Sequence, residues 1–275
     1  MRRKPKSALW AGARSGGSGS SGPDVTAPVV ITFSPVDNAT SVALDATLTA
    51  TMSETVVLGA TGIITLKKTS DDSTIDFWDV ALDEGSGVGQ VEVLTSTALT
   101  MHLSASLTDS IEYYVIWDAG VVEDLSANPI AAQASTTYWS FTAADTTAPI
   151  LSNALGVKKT DTTASVQVDT DTPEGDAFWY VSSSITAPSE VDHLAGTGAV
   201  LAGSLPVTTI DTYSADPISP LVAGTGYYVH WRHRDAAMNV SAPETSPLWT
   251  QYASGNPKLD FSAAENSQYL TILAA

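Results

Sequence analysis

The chain has 275 residues, of which 43% are hydrophobic and 15% charged, a composition typical of about two folded domains and not of a disordered protein. It contains no cysteine, which excludes disulfides, thiol nucleophiles and Cys-ligated metal centres. Its formal net charge of −18 argues against nucleic acid and anionic membranes as partners.

The first 22 residues differ from the rest of the chain in charge. They carry five basic residues and no acid, which leaves about −23 for residues 23–275. No apolar run of a signal peptide follows the basic start, and no stretch is long and apolar enough for a transmembrane helix. Residues 1–23 are therefore interpreted as a basic arm with a Gly/Ser spacer. The arm is either a disordered tail or cloning scar, or a docking arm that orders against an acidic surface. The candidate docking residues are Arg2, Arg3, Lys4, Lys6, Trp10 and Arg14.

The rest of the chain contains an internal duplication. The pattern Leu-x5-Tyr-Tyr-Val-x-Trp occurs at Leu107–Trp117 and at Leu221–Trp231. The pattern Asp-x3-Asn occurs at Asp124–Asn128 and at Asp235–Asn239, and a Thr-Ala-Pro precedes an apolar segment in each half. The order is the same in both halves, so the pattern indicates two copies of one β-domain.

The first domain, residues 24–144, is predicted to be a β-sandwich, because about seven short strands are separated by turn residues and no helical periodicity is present. Residues 35–42 and 83–90 supply turns. The predicted strands are Val29–Phe33, Ala46–Met52, Ile63–Lys67, Phe77–Val80, Leu99–Leu103, Tyr113–Trp117 and Tyr138–Thr142.

The second domain, residues 145–250, has the same type of pattern, interrupted at 187–196, where Ser189 could cap a single helical turn. Its predicted strands are Ser165–Asp169, Ala177–Ser182, Val207–Asp211, Tyr227–Arg234 and Pro247–Gln251. Residues 251–275 are a tail with an apolar end that should pack on this domain or on another chain. The tail contains either a capping box at Ser262 and Glu265 or two strands, Leu259–Phe261 and Tyr269–Leu273. The predicted fold class is all-β, with two tandem sandwiches between arm and tail.

The segment LVAGTGYYVHW resembles the E–F corner of fibronectin type III-like domains. The matching residues are Leu221, Gly224, Thr225 and Tyr227. The resemblance implies that the Tyr227 hydroxyl bonds backwards to the loop backbone. The first domain keeps Leu107 and Tyr113 but has Ser-Ile in place of Gly-Thr.

The segments TAPVVITFSPVDNATSVALDATLTATMSETV and VVEDLSANPI resemble bacterial Ig-like domains of the Big type, found in surface and S-layer-associated proteins. That family has an Asp-x-x-Gly-Asn turn. Ala127 and Met238 replace the glycine here, so the turn need not adopt a positive φ. The second domain resembles Ig-like modules of bacteriophage tail and virion proteins, and KLDFSAAENSQYLTI resembles the opening strand of a LamG lectin module.

One strand of the second domain carries the chemistry most suggestive of a site. Strand alternation places one set of side chains in the core, namely Tyr227, Val229, Trp231 and His233. The other set faces outwards, namely Tyr228, His230, Arg232 and Arg234. This stripe is either a solvated face or a contact patch for a carboxylate-rich partner or a glycan. The two histidines of the strand, His230 and His233, lie on opposite faces and cannot share a metal.

Two acidic loops could supply oxygen ligands to a structural calcium ion, although solvated turns are the default interpretation and no cofactor is expected. Their residues are Asp71, Asp72, Asp76, Asp79, Asp169, Asp171, Glu174 and Asp176. No catalytic residue is predicted, because no nucleotide-binding glycine motif and no nucleophile elbow occurs.

These features predict a non-enzymatic structural protein of a bacteriophage particle, as a head decoration, neck or tail appendage, assembled in the host cytoplasm. The arm would anchor it, and the Ig-like domains would be displayed, with weak adhesion to host glycans. The expected partners are other virion proteins, host cell-surface glycans and further copies of this chain, with neither nucleic acid nor membrane. The alternative is a fragment of a bacterial cell-surface adhesin or S-layer-like protein.

Overall fold

The computed structural model describes residues 23–251, which form an all-β chain of tandem β-sandwiches. The chain divides into two compact units between Ala143 and Ala144. No helix in the described part is long and apolar enough to cross a membrane. The candidate docking residues of the arm lie outside the described residues, as do the capping box and the two strands proposed for the tail.

Eleven strands are present in residues 23–143. They are β1 (Val30–Ser34), β2 (Ala39–Val42), β3 (Leu48–Met52), β4 (Val56–Leu58), β5 (Ile63–Lys68), β6 (Thr74–Asp79), β7 (Val91–Leu94), β8 (Ala98–Met101), β9 (Glu112–Trp117), β10 (Val122–Asp124) and β11 (Ser140–Ala143). One sheet has the order β1-β3-β8-β7 and the facing sheet β2-β11-β9-β5-β6, while β4 and β10 form a separate pair. All pairs are antiparallel except β2 with β11.

Two indoles anchor the core of the first unit. Trp78 and Trp139 are fully buried, and each indole N–H donates to a backbone carbonyl, that of His102 at 3.0 Å and that of Pro35 at 2.9 Å. Such pairing lets an amphipathic ring lie in an apolar core without an unpaired donor. Phe33 stacks on Trp139 with ring centroids 4.5 Å apart, which packs β1 against the core.

The second unit contains eight strands and one helix within residues 144–251. They are β12 (Leu151–Lys158), β13 (Ala164–Thr170), β14 (Asp176–Ser182), α1 (Glu190–Ala195), β15 (Leu201–Pro206), β16 (Thr212–Ile218), β17 (Gly226–Arg234), β18 (Glu244–Thr245) and β19 (Trp249–Thr250). One sheet has the order β12-β13-β16, and the other the order β15-β14-β17-β18, with β19 also pairing with β17. The core contains alternate residues of β13 and β17, as strand geometry requires.

Most strands lie where the sequence pattern predicts them, but other features need correction. The pattern did not indicate β4, β7, β10, β15, β16 or β18, and β2 lies inside residues 35–42, predicted as a turn. The predicted strand Val207–Asp211 is wrong, because that segment is the loop between β15 and β16. The Tyr213 hydroxyl accepts hydrogen bonds from the Thr208 and Thr209 amides at 2.9 and 3.0 Å, so the loop backbone is paired without a sheet partner.

The predicted helical turn is confirmed as α1. The Ser189 side chain caps it by accepting a hydrogen bond from the Asp192 amide at 3.2 Å, and Gly196 ends it in the left-handed conformation, with φ 67°.

Both units contain a tyrosine corner, so the interaction implied for Tyr227 is confirmed. Its hydroxyl accepts from the Val222 amide at 3.0 Å, and the Tyr113 hydroxyl accepts from the Thr108 amide at 2.8 Å. Ser110 has φ 57° where Gly224 has φ 80°, so the corner keeps one backbone shape even where serine replaces glycine.

Replacement of Tyr227 by Phe should lower the free energy of unfolding by about 1 kcal/mol, because the Val222 amide loses its acceptor. Urea unfolding monitored by tryptophan fluorescence measures this change. Tyr228→Phe is the matched control, since the neighbouring hydroxyl makes no hydrogen bond within residues 23–251. Equal effects of the two substitutions would contradict the role of the corner.

Candidate functional site

Each Asp-x3-Asn turn is organised by its aspartate. Asp124 is buried and accepts hydrogen bonds from the Ser126 and Asn128 amides, each at 2.8 Å, and from Asn128 Nδ2 at 2.7 Å. These bonds, that from the Asn128 side chain first, lower the pKa of Asp124. Asp235 accepts from the Asn239 amide at 2.9 Å and from Asn239 Nδ2 at 3.1 Å. The aspartates therefore act as turn caps and not as general bases.

The asparagine of each turn also fixes the segment that enters its own unit. Asn128 Nδ2 donates to the carbonyl of Asp24 at 3.1 Å, and Asn239 Nδ2 donates to the carbonyl of Asp145 at 3.2 Å. We call this arrangement the entry clasp: the Asp-x3-Asn turn together with the carbonyl that its asparagine holds. Two of the sequence repeats therefore meet in space, because the Thr-Ala-Pro segment begins next to the carbonyl that the Asp-x3-Asn turn holds.

The backbone of the clasp differs from the sequence-based expectation. Ala127 and Met238 occupy the position where the family has glycine, and we expected that the turn need not have a positive φ there. They nevertheless adopt φ values of 64° and 75°. The hydrogen bonds of the aspartate and asparagine impose the left-handed conformation on residues that carry a Cβ.

Three carboxylates converge beside the clasp of the first unit. The side chains of Asp24, Glu54 and Asp124 have ligand oxygens within 4.8 Å of one another. Burial, followed by the charges of Asp124 and Asp24, raises the pKa of Glu54. These residues could contribute to holding a divalent cation, although calcium takes six to eight oxygens and the Asp124 oxygens already accept three hydrogen bonds.

The acidic loops proposed for calcium do not bring three carboxylates together within the described residues. Their aspartates instead bind neighbouring polar groups. Asp76 accepts from the Ser104 amide at 2.7 Å, and Asp171 accepts from the Ile150 amide at 2.8 Å. Hydrogen bonds from Ser73 lower the pKa of Asp71. The default interpretation, polar turns, describes this geometry.

Strand β17 confirms the inner face predicted for it and corrects the outer one. Tyr227, Val229, Trp231 and His233 are all buried. His230 was expected outside, but it is also fully buried. Its Nδ1 lies 2.9 Å from the Thr245 hydroxyl and its Nε2 lies 3.0 Å from the Ser184 carbonyl, because β18 and the loop after β14 cover it. Tyr228, Arg232 and Arg234 remain half-exposed, so His230 leaves the candidate patch.

The histidines of this unit are structural. Burial lowers the pKa of His230. His233 lies 2.8 Å from the Thr170 hydroxyl and 2.7 Å from the Glu174 carbonyl. In each ring Nε2 faces a backbone carbonyl and Nδ1 faces a threonine hydroxyl, so both ring nitrogens are engaged within the fold. Neither ring is available to act on a substrate.

Helix α1 adds a third histidine that sequence reasoning did not use. His193 is buried, and its Nε2 lies 3.1 Å from the Phe178 carbonyl while its ring lies 5.6 Å from that of Tyr180. Burial, together with the charges of Arg232 and His230, lowers the pKa of His193 to about 4. The Ser189 cap indicated the helix, but only the packing shows that α1 lies against the outer face of β14, where His193 contacts Phe178 and Tyr180.

The exposed part of the patch is built around Phe178, which the sequence analysis also missed. The Arg234 guanidinium carbon lies 5.2 Å from the centroid of the Phe178 ring, and its Nη2 lies 3.9 Å from Asp176. Arg232 Nη1 donates to the Ser241 carbonyl at 2.8 Å. Strand alternation on β14 could have identified Phe178, because Phe178 pairs directly with Arg232 of β17 and directly paired residues lie on the same face of the sheet.

Residues 24–143 match a family model described as a bacterial Ig-like domain. Many solved structures are similar to the chain, and three of them, all at low identity, illustrate the likeness. They are the FN1–FN3 domains of chicken CNTN1 (11% identity, 82% of this chain and 66% of that chain, TM-score 0.36), DIP-gamma IG1+IG2 (11%, 80% and 95%, 0.38) and the fibronectin(III)-like modules of Clostridium thermocellum CbhA (12%, 82% and 95%, 0.30). No curated protein matches the sequence.

Replacement of Ala127 by Gly should raise the free energy of unfolding by about 0.5–1 kcal/mol, because removal of the Cβ strain outweighs the larger backbone entropy of glycine in the unfolded chain. Chemical denaturation measures this change. The control is Ala132→Gly, at an exposed alanine outside the positive-φ positions, which should be destabilising. Destabilisation by both substitutions would contradict the strain assigned to Ala127.

Replacement of His193 by Gln should flatten the pH dependence of stability between about pH 6.5 and pH 4. The pKa of His193 is about 4 in the folded chain. An unfolded histidine takes up a proton near pH 6.5, so the wild-type protein loses stability as the pH falls through this window. The neutral amide has no such linkage and can still donate to the Phe178 carbonyl. Urea midpoints at several pH values test the difference. Parallel profiles for the two proteins would show that His193 does not titrate in this way.

Proposed function

We propose that this chain is a non-enzymatic structural protein that displays Ig-like β-sandwiches on a larger assembly. The observation that carries this proposal is how the polar side chains are used in the described residues. Asp124, Asp235, His230 and His233 all pair with turns, caps or neighbouring strands. A catalytic group needs a free lone pair or proton beside a substrate cleft, and these side chains are occupied by the fold itself.

The assembly that we propose is a bacteriophage particle, in which the chain is a head decoration, neck or tail appendage. The support for this is the charge distribution together with the resemblance of the second domain to virion modules. Residues 1–22 carry five positive charges, whereas the remainder carries about −23. A basic segment ahead of acidic domains suits anchoring to an acidic particle surface, with the domains held away from it by like-charge repulsion.

A second candidate is a module of a bacterial cell-surface adhesin or S-layer-like protein. The observation that favours it is the match of residues 24–143 to the bacterial Ig-like family. The two candidates share the display role and differ in the anchor. In the phage protein the basic arm makes the attachment, whereas a surface adhesin does not need it.

Deletion of residues 2–14 should abolish incorporation of the chain into particles and leave the melting temperature of the two sandwiches unchanged, because the deletion removes the basic residues and Trp10 but none of the described fold. Purified particles, quantified by mass spectrometry, and thermal melts measure the two effects.

Deletion of the uncharged residues 15–22 is the control and should preserve incorporation. Substitution of the five basic residues by Gln separates charge from length. Normal incorporation of the 2–14 deletion would contradict the docking arm, and recovery of the intact chain only from a cell envelope would favour the adhesin.

A further inference from the structure

We infer that the second unit holds a binding site for the carboxylate of an acidic sugar, formed by Arg232, Arg234 and Phe178 beside helix α1. The inference rests on the proposed function in one respect only, that a displayed domain meets surface glycans. Of the four residues that alternation placed in the outer stripe, the site contains Arg232 and Arg234, and it adds Phe178 of the neighbouring strand.

The charge of Arg232 has no carboxylate to balance it in the described chain. No carboxylate in residues 23–251 lies within 4 Å of its guanidinium, whereas Lys159, elsewhere in the same unit, is paired with Asp216 at 3.1 Å. Its only hydrogen bond in the described chain is to the Ser241 carbonyl, and its buried Nε has no partner. Arginine cannot relieve such a situation by losing its proton. A half-buried, unpaired guanidinium is therefore suited to a ligand anion.

The neighbours of Arg232 on the outer face of the sheet include an aromatic residue and a second arginine. Phe178 pairs across the sheet with Arg232 on one side and with Ser204 on the other, so the three lie in one row on the outer face. The Arg234 guanidinium carbon lies 5.2 Å from the Phe178 ring, which places a second cation beside the first. Phe178 thus has Arg232 and Ser204 as its cross-strand neighbours and the Arg234 guanidinium beside its ring, with Asp176 3.9 Å from Arg234 Nη2.

The row formed by Arg232, Phe178 and Ser204 borders an open space on its α1 side. A cleft of about 190 Å³ lies between the end of α1 and β15, and Phe178 lines it. Phe178 is the residue that joins this cleft to the two arginines, which do not themselves line it. The other walls of the cleft are His193, Leu194, Ala195, Gly196, Ala202, Gly203 and Ser204. Gly196 keeps its end of the cleft open, because a Cβ there would lie 3.0 Å from the Ala202 side chain, which also lines the cleft.

These features favour a sugar over a larger anion. The cleft is below the 300–1,000 Å³ range typical of drug-sized ligands, which fits a single ring better than an extended chain. A polyanion would also meet the strongly acidic body around the site, whereas a single carboxylate on a sugar ring meets the two arginines. Phe178 and the small apolar walls suit the carbon face of the ring, and the guanidinium groups suit its carboxylate.

The experiment compares galacturonic acid with its methyl ester on the full chain, by titration calorimetry and by amide chemical shifts. The two probes share the sugar ring and differ in the charge and one methyl group of the carboxyl. The acid should bind saturably and shift the amides of Phe178, Ser204 and Arg232, and the ester should bind at least tenfold more weakly. Equal binding of both, or no saturable binding of the acid at millimolar concentration, would overturn the inference. Stronger binding of hexaglutamate would overturn it in favour of an acidic protein partner.

Variants locate the site. Arg232→Gln should weaken binding of the acid by about tenfold, as expected for a lost charged hydrogen bond. Arg234→Gln should also weaken it and carries the test if Arg232→Gln fails to fold. Lys159→Gln removes the same charge elsewhere in the unit and should leave binding unchanged. An equal loss in all three variants would reduce the effect to net charge and overturn the site. Particle incorporation of Arg234→Gln should stay normal, so failure of glycan binding is distinguishable from failure of the proposed function.

Discussion

The hydrogen bonds of the entry clasp hold each sandwich together at the end where its chain enters. The chain has no cysteine, so no disulfide closes the units, and the loop ends are held by noncovalent contacts alone. The clasp meets this requirement with one aspartate and one asparagine. The aspartate pairs the amides of its own turn, and the asparagine extends the same network to the lead-in segment, Asp24 in the first unit and Asp145 in the second. The tyrosine corners do the same for the loop before β9 and the loop before β17.

The duplication separates architecture from what is particular to one unit. Both units keep the clasp, the corner and the Tyr-Tyr-Val-x-Trp strand, so these residues are explained by folding alone. Where the second unit has Arg232, the first has Asp118, which accepts a hydrogen bond from the Ile63 amide at 3.0 Å and so serves its own sheet. Arg232 has no corresponding carboxylate partner in the described chain, and helix α1 is likewise a feature of the second unit among the described residues. The chemistry that is not architectural therefore gathers at one place, between α1 and the outer face of β14 and β17.

Burial decides which of these groups can act on anything outside the protein. The three histidines of the second unit are enclosed, and burial keeps His193 and His230 neutral by lowering the pKa of each. Arg232 and Arg234, which are half-exposed, keep their charge because guanidinium does not lose its proton in proteins. The outer face thus presents cations and an aromatic ring instead of a titratable acid–base pair, which suits recognition better than catalysis.

The sequence by itself determined the all-β class, most of the strands, the Ser189 cap, the Tyr227 corner and the inner face of β17, whereas the Tyr113 corner was established by the structure. Each of these depends on a local pattern, namely alternation, a cap residue or a turn, that acts over a few neighbouring residues. Only the tertiary structure decided that His230 is buried, that Ala127 and Met238 take a positive φ, and that Asp24, Glu54 and Asp124 converge. Alternation assigns a side to each residue of a strand, but exposure depends on which distant segment covers that side. Here β18 and the loop after β14 cover His230, and α1 packs on Phe178 and Tyr180 of the same face. The entry clasp fixes the backbone of the turns through contacts with residues about a hundred positions away.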